Sequence, residues 1–130
     1  MRKTSPSSNS KASNSPTDTA WETALEREPY LYLTTRGRRS GHLREIEIWF
    51  THHDSRFYVI AEYPTSHWVQ NLQADPRVEV RAAGKKFAAR AEFVSPEVEP
   101  ELHRAIQEQS RSKYGWGEGV VVLLNPEPAP

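Results

Sequence analysis

A chain of 130 residues, 36% of them hydrophobic, is long enough for one domain with a modest core. Its 17 basic and 17 acidic residues cancel, which disfavours a general nucleic-acid-binding domain, because such a domain usually carries a positive excess. The chain has no cysteine, which excludes disulfides and thiolate metal sites and fits a cytoplasmic protein, and no segment approaches the roughly 18 apolar residues of a membrane span.

The first twenty residues, MRKTSPSSNSKASNSPTDTA, are mostly serine, threonine, proline, asparagine and lysine. This composition buries too little apolar surface to offset chain entropy, so residues 1–20 are predicted to form a disordered tail. They contain no apolar segment typical of a secretory signal. A short helix is predicted for residues 21–27, where Trp21, Ala24 and Leu25 share one face, and Pro29 ends it.

The next part of the chain predicts three strands followed by a helix. Strands are predicted for residues 30–35, 43–50 and 57–61, and the polar segment THHDS between the last two is predicted to be a turn. The third strand, FYVIA, is an almost continuous apolar run, which is typical of a strand buried on both faces. Ser66 can cap a helix over residues 67–74, which ends before Pro76.

The last part of the chain predicts three more strands and another helix. Residues 78–82 and 87–94 form two strands joined by the hairpin turn AAGKK. A helix begins near Pro96 or Pro100 and continues through Gln109. A final strand covers residues 120–124, and residues 127–130 are predicted to fray. The chain is therefore predicted to have a mainly β (α+β) fold, a small six-stranded antiparallel barrel with two or three short helices, over residues 21–126.

The turn between the first two strands, RGRRSGHLR, is unusually basic for a chain without net charge. Glycines at this turn free backbone N–H groups, and guanidinium groups bind phosphate or carboxylate through paired hydrogen bonds. Arg38, Arg39 and Arg44 are thus candidates for a site that holds a small anion. An exposed turn with solvated charges explains the same pattern equally well.

A second cluster, AEYPTSHWVQNL, spans residues 61–72. A strand that leads through a proline-containing loop to a helix N-terminus brings backbone donors near the rings of Tyr63 and Trp68, an arrangement that suits a planar ring system. Alternatively, Trp68 and Leu72 only anchor the helix to the barrel.

Other chemical signatures are missing from the sequence. The five histidines have no metal-binding spacing, so no metal site is predicted. No nucleophile elbow, phosphate-binding loop or dinucleotide fingerprint is present either.

The segments LTTRGRRSGHLREIEIWF and HWVQNLQADPRVEVR, in this order, resemble the deazaflavin-dependent nitroreductase and quinone reductase family of the split β-barrel superfamily, which includes pyridoxamine-phosphate-oxidase-like flavin proteins. The resemblance covers about residues 30–94. It implies a split barrel that binds coenzyme F420 and transfers a hydride to a quinone or nitroaromatic. It assigns the phosphate and acidic tail of the coenzyme to Arg38, Arg39, Ser40, Gly41 and Arg44.

The resemblance also implies a loop that binds the deazaflavin ring. In this chain the loop and the tryptophan after it correspond to Ala61, Glu62, Tyr63, Pro64, Thr65 and Trp68. The loop EYPTSHW is shorter than is usual in the family and lacks its glycines, so FMN is the alternative cofactor. Tyr63 and Tyr114 are the candidate proton donors.

Two further expectations concern partners and activity. Proteins of this superfamily often pair, so the resemblance makes a homodimer possible, but the sequence does not decide the oligomeric state. The alternative to an oxidoreductase is a non-catalytic protein of the same barrel fold that binds a flavin, a deazaflavin or a tetrapyrrole.

Overall fold

The computed structural model describes residues 19–127, which form ten elements. The strands are β1 (Leu31–Arg36), β2 (Leu43–Ile48), β3 (Thr51–His53), β4 (Arg56–Ala61), β5 (Arg77–Ala82), β6 (Lys85–Phe93) and β7 (Val120–Pro126). The helices are α1 (Thr19–Leu25), α2 (His67–Ala74) and α3 (Pro100–Tyr114). The tail predicted for residues 1–20 lies outside the described residues, except for Thr19 and Ala20, with which α1 begins. Residues 128–130 of the predicted frayed end also lie outside them.

All seven strands belong to one antiparallel sheet with the order β2-β1-β5-β6-β7-β4-β3. Its two outermost strands, β2 and β3, are consecutive in the chain, and only Trp49 and Phe50 lie between them. Because so short a link spans only about 10 Å, the two ends of the sheet must approach each other. The sheet is therefore rolled into a half-barrel, and the predicted mainly β, α+β split-barrel class is confirmed.

The count of six strands was too low, because residues 51–53 form β3 rather than part of a turn. His53 pairs with Arg56, and the two residues between them, Asp54 and Ser55, have φ angles of 51° and 65°. Positive φ at both central residues is typical of a tight type I′ hairpin turn. Two residues therefore suffice to reverse the chain, and His52 and His53 can pair with residues of β4.

The helices agree with the prediction except at their ends, and α1 begins and ends two residues earlier than predicted. α2 has the predicted bounds, with Ser66 at the N-cap position but without a side-chain capping bond. α3 begins at Pro100, the second of the two predicted starts, and it continues beyond the predicted Gln109 to Tyr114, where Gly115 ends it with a φ of 80°. The longer α3 brings Tyr114 next to the link between β2 and β3.

The core has two parts, one on each face of β4. Inside the barrel lie Trp21, Leu31, Leu33, Phe50, Phe57, Val59, Leu72, Val80 and Leu124. Between the barrel and α3 lie Tyr58, Ile60, Val94, Ile106, Val121 and Leu123. The burial of β4 on both faces agrees with its apolar sequence, and each fully buried large side chain contributes roughly 1.5–3 kcal/mol.

α1 packs at the barrel through Trp21. Its indole Nε1 donates a hydrogen bond to the carbonyl of Ala82 at 2.8 Å, and its ring packs against Phe57 and Phe87. None of the helices between residues 19 and 127 is long and apolar enough to cross a membrane.

Candidate functional site

The basic turn between β1 and β2 is tied together by its own hydrogen bonds. The Gly37 N–H donates to the carbonyl of His42 at 2.8 Å, and the Gly41 N–H donates to the carbonyl of Gly37 at 2.9 Å. The guanidinium of Arg36 donates to the carbonyl of Gly41 at 2.9 Å. Gly41 has a φ of 77°, which favours glycine. The turn therefore has a defined shape rather than that of an open loop.

Arg38 joins this turn to α2. The amide oxygen of Asn71 accepts a bond from the backbone N–H of Arg38 at 3.1 Å and another from its guanidinium at 2.9 Å. The same guanidinium lies 3.5 Å from the carbonyl and from Nδ1 of His67. Because Asn71 is 5% exposed, its bond to Arg38 fixes the turn against the first two turns of the helix.

The turn and the helix enclose a cavity of about 360 Å³. Its lining residues are Gly37, Arg38, Arg39, Ser40, Arg44, His67 and Asn71. Three guanidinium groups and one imidazole thus line this space, and no carboxylate of the described part of the chain lines it. Within residues 19–127, Arg39 and Arg44 form no ion pair with an acidic side chain. Uncompensated guanidinium groups beside a cavity are suited to binding phosphate or carboxylate.

The structure brings together four of the five residues predicted for the anionic tail. Arg38, Arg39, Ser40 and Arg44 line the cavity, whereas Gly41 lies in the turn outside its lining. The Oγ of Ser40 accepts a hydrogen bond from the His42 N–H at 3.1 Å.

The residues predicted for the ring-binding loop do not line this cavity. Ala61 is buried in the sheet, Tyr63 is 60% exposed, and Trp68 packs against the barrel core. Pro64 and Thr65 are exposed, and the Thr65 carbonyl accepts a hydrogen bond from Gln70 at 2.7 Å. The position of Trp68 agrees with the alternative in which it anchors α2.

Glu62 lies instead on a second, open cavity of about 540 Å³. Its lining residues are Glu47, Ile48, Trp49, Ile60, Glu62 and Trp116. We call this cavity the aromatic groove. It lies between the end of β2 and the end of β4. Both cavities border β2, with Arg44 near its start and Glu47 near its end. At about 3.3 Å per residue these two positions are roughly 10 Å apart, and because side chains alternate along a strand, Arg44 and Glu47 point to opposite faces of the sheet.

Tyr114 holds the link between β2 and β3. Its hydroxyl lies 2.6 Å from the carbonyl of Pro29 and 3.0 Å from that of Phe50, and it accepts a bond from the Phe50 N–H at 3.1 Å. Its ring stacks on Trp49 with centroids 4.5 Å apart. Burial raises the pKa of Tyr114, although the bond to the Phe50 backbone opposes the shift. These contacts favour a structural role for Tyr114, which is also one of the two candidate proton donors.

Three residues that line the basic cavity were not predicted from the sequence: Gly37, His67 and Asn71. Asn71 carried a usable signal, because it is the polar position of the W-x-x-N-L segment and falls on the same face of α2 as the apolar anchors. A buried asparagine on such a face needs a hydrogen-bond partner, and here the partner is Arg38.

Comparisons with known proteins agree with this fold. Among solved structures, the heme storage protein HutZ from Vibrio cholerae matches with a TM-score of 0.67 and 18% identity over 85% of this chain and 91% of that one. A FAD-binding protein from Mesorhizobium loti matches with a TM-score of 0.65 and 17% identity over 84% and 88%. The F420-H2 dependent reductase FDR-A matches with a TM-score of 0.61 and 18% identity over 77% and 95%. At these identities the matches show the fold alone.

The family is shown by sequence. No curated protein matches the chain, but residues 9–122 match the family described as F420H(2)-dependent quinone reductase. The match covers both segments on which the resemblance was based and confirms it. The chain belongs to the F420H(2)-dependent quinone reductase family and is an oxidoreductase that uses coenzyme F420.

Proposed function

We propose that this protein reduces a small organic acceptor, such as a quinone or a nitroaromatic, and that the basic cavity holds the anionic part of coenzyme F420. The observation that carries the proposal is the set of guanidinium groups around the cavity: Arg39 and Arg44 have no acidic partner within residues 19–127, and Arg38 is held by an amide rather than by a carboxylate. An anionic ligand would compensate this charge, so the residues present fit the coenzyme.

The chain supplies binding and orientation in this reaction. When bound, reduced F420 would supply a hydride, and a quinone that gains this hydride and one proton becomes a hydroquinone. Arg39 and Arg44 would bind the negative tail through charge-assisted hydrogen bonds. Asn71 would keep Arg38 and the turn in place, and Ser40 would add a hydroxyl.

The loop at residues 62–66 is proposed to contact the ring of the coenzyme. This proposal is supported by the position of the loop between the two cavities. Glu62 borders the aromatic groove, and His67, directly after the loop, borders the basic cavity. Tyr63, the more exposed of the two candidate tyrosines, is the proposed proton donor. The homodimer and the cytoplasmic location remain predictions.

Two titrations and one assay test the proposal. Purified protein is titrated with oxidised F420 and, separately, with FMN, and absorbance and fluorescence report binding. The protein is then mixed with reduced F420 and menadione or a nitroaromatic, and the return of the absorbance of oxidised F420 reports turnover. We expect binding of F420 and reduction of at least one acceptor.

The other outcomes identify the alternatives. Binding of F420 without reduction of any acceptor would favour the non-catalytic binding protein. Tighter binding of FMN than of F420 would make FMN the cofactor.

A further inference from the structure

The aromatic groove differs from the basic cavity in both shape and charge. Its floor and walls include the rings of Trp49 and Trp116, whose centroids are 6.4 Å apart and inclined by 59°, and the side chains of Ile48 and Ile60. Trp49 is 45% exposed although its ring stacks on Tyr114. Ligand sites are typically concave, with apolar and aromatic walls and a few polar groups. The groove has this composition, and it suits a planar aromatic molecule.

The polar groups of the groove are both carboxylates. Glu47 comes from β2 and Glu62 follows β4, and among residues 19–127 no lysine, arginine or histidine lines the groove. The hydroxyl of Tyr32 donates to Glu47 at 3.1 Å, which helps to fix the position of that carboxylate. The bond to Glu47 also raises the pKa of Tyr32.

The two cavities therefore present opposite charges near the two ends of the same strand. An anion is attracted to the end of β2 at Arg44, whereas it is repelled at the end where Glu47 lies. A second ligand that enters the groove meets the carboxylates without a compensating cation in the lining.

We propose that the aromatic groove binds the electron acceptor, and that Glu47 and Glu62 select planar aromatic acceptors without an anionic substituent. The description of the groove as the acceptor site rests on the proposed function. The selection itself follows from the lining, because a site can discriminate against a ligand by repulsion between like charges as well as by contacts that favour its competitor.

The test compares a neutral and an anionic quinone of similar size, menadione and a naphthoquinone sulfonate. Binding is measured without coenzyme, from the quenching of tryptophan fluorescence. The wild-type protein should bind menadione more tightly than the sulfonate. The double variant Glu47→Gln/Glu62→Gln should bind the sulfonate about tenfold more tightly, and its affinity for menadione should stay within about twofold.

Two further variants control for position. Glu92→Gln removes an exposed carboxylate from β6, outside the lining of the groove, and it should leave the preference unchanged. Trp116→Leu should weaken the binding of both quinones, which locates the quinones in the groove. The proposal is overturned if the double variant discriminates between the two quinones as the wild type does, or if Trp116→Leu leaves both affinities unchanged.

The steady-state assay separates this proposal from the proposed function. If the acid residues control quinone binding but no F420-dependent reduction occurs, the proposed function fails and the groove remains a selective binding site. If reduction occurs with KM values that do not respond to the double variant, the proposed function holds and the inference about selection fails.

Discussion

Asn71 and Arg38 connect the two sequence segments that are typical of this family. The amide oxygen of the asparagine on α2 accepts two hydrogen bonds from the arginine of the basic turn, one from its backbone and one from its guanidinium. The bonded atoms lie on residues thirty-three positions apart in the chain. The cavity between the two segments therefore depends on a neutral side chain that holds a charged one in place.

The two contacts of Asn71 predict different effects for two substitutions. Asn71→Ala leaves the backbone N–H of Arg38 without its acceptor, and it should lower the free energy of unfolding by about 1–3 kcal/mol. Asn71→Asp keeps an acceptor, so it should retain most of the stability. However, the added negative charge should weaken the binding of F420. Urea denaturation and coenzyme titration measure the two effects. An Asn71→Asp variant that binds F420 as tightly as the wild type would contradict this function of the cavity.

Two arginines of the cavity, which have no acidic partner in the described part of the chain, predict a loss of coenzyme affinity. Arg39→Ala and Arg44→Ala should each weaken F420 binding by about 1.5–3 kcal/mol, which is typical of hydrogen bonds to a charged group. The effect of each substitution should shrink as salt is added, because salt screens exposed charges. Arg104→Ala on α3, an exposed arginine outside the cavity lining, is the matched control and should bind normally. Equal affinity of all three variants would mean that the tail binds elsewhere.

Tyr114→Phe distinguishes a structural tyrosine from a proton donor. The variant keeps the stacking on Trp49 but removes the bonds to Pro29 and Phe50, so the free energy of unfolding should fall by about 1–2 kcal/mol. Its kcat at a temperature where it is fully folded should stay close to that of the wild type. Tyr63→Phe is compared with it. Because Tyr63 is 60% exposed, this variant should change the free energy of unfolding little. A large fall in kcat for Tyr114→Phe, with unchanged stability, would assign proton transfer to Tyr114 instead.

The start of β7 requires a glycine. Gly119 has a φ of 123°, and a Cβ at this position would overlap the carbonyl of Ala61. Gly119→Ala should therefore lower the free energy of unfolding by about 3 kcal/mol or more, from backbone strain and overpacking together. Gly84→Ala is the control, because Gly84 also has a positive φ, of 85°, but no atom lies near its Cβ position. Gly84→Ala should lower the free energy of unfolding by only about 1–2 kcal/mol. Similar losses in the two variants, measured by urea denaturation, would argue against the close approach at Ala61.

Asp75 predicts a loss of stability in acid. It accepts bonds from the side chain of Arg77 at 2.8 and 3.0 Å and from the backbone N–H of Arg77 at 3.1 Å. These bonds lower the pKa of the Asp75 carboxyl from 3.8 to about 2. A lowered pKa in the folded state stabilises the protein above the unfolded value, and this contribution disappears as the pH falls through the folded value. It should therefore be complete above pH 3.8 and be lost toward pH 2.

The matched variant Asp75→Asn cannot titrate at this position. Its urea midpoint should fall less than that of the wild type between about pH 5 and pH 2.5. Parallel acid profiles of the two proteins would contradict the assignment to Asp75.

Local sequence patterns predicted much of this fold and one part of the site. The bounds of α2, the hairpin at Ala83 and Gly84, and the burial of β4 follow from turn residues and apolar periodicity, which act over a few residues. The missed strand β3 has no such pattern, because His52 and His53 are polar and their pairing depends on the positive φ of Asp54 and Ser55.

The rest of the site depends on contacts between distant residues. The groove required Trp116, which follows α3, to lie beside Trp49 at the end of β2. That proximity is set by the pairing of β4 with β7 and by the length of α3. Neither this strand pairing nor the length of α3 can be predicted from a short segment of sequence. The basic turn was predicted as a candidate site because its arginines and glycines are close together in the chain. Asn71, which fixes the turn, was not predicted because it lies on another element, α2.

The position of β7 has a consequence for protein synthesis. β4 can pair with β3 as soon as both are made, but its other edge pairs with β7, in a register that joins Ala61 to Val120 and Phe57 to Leu124. A nascent chain on the ribosome therefore exposes an apolar strand edge until the C-terminal strand emerges, and exposed edges of this kind promote aggregation. Slow translation of the last third of the message, or a premature stop before Val120, would prolong that exposure and increase the demand for chaperones.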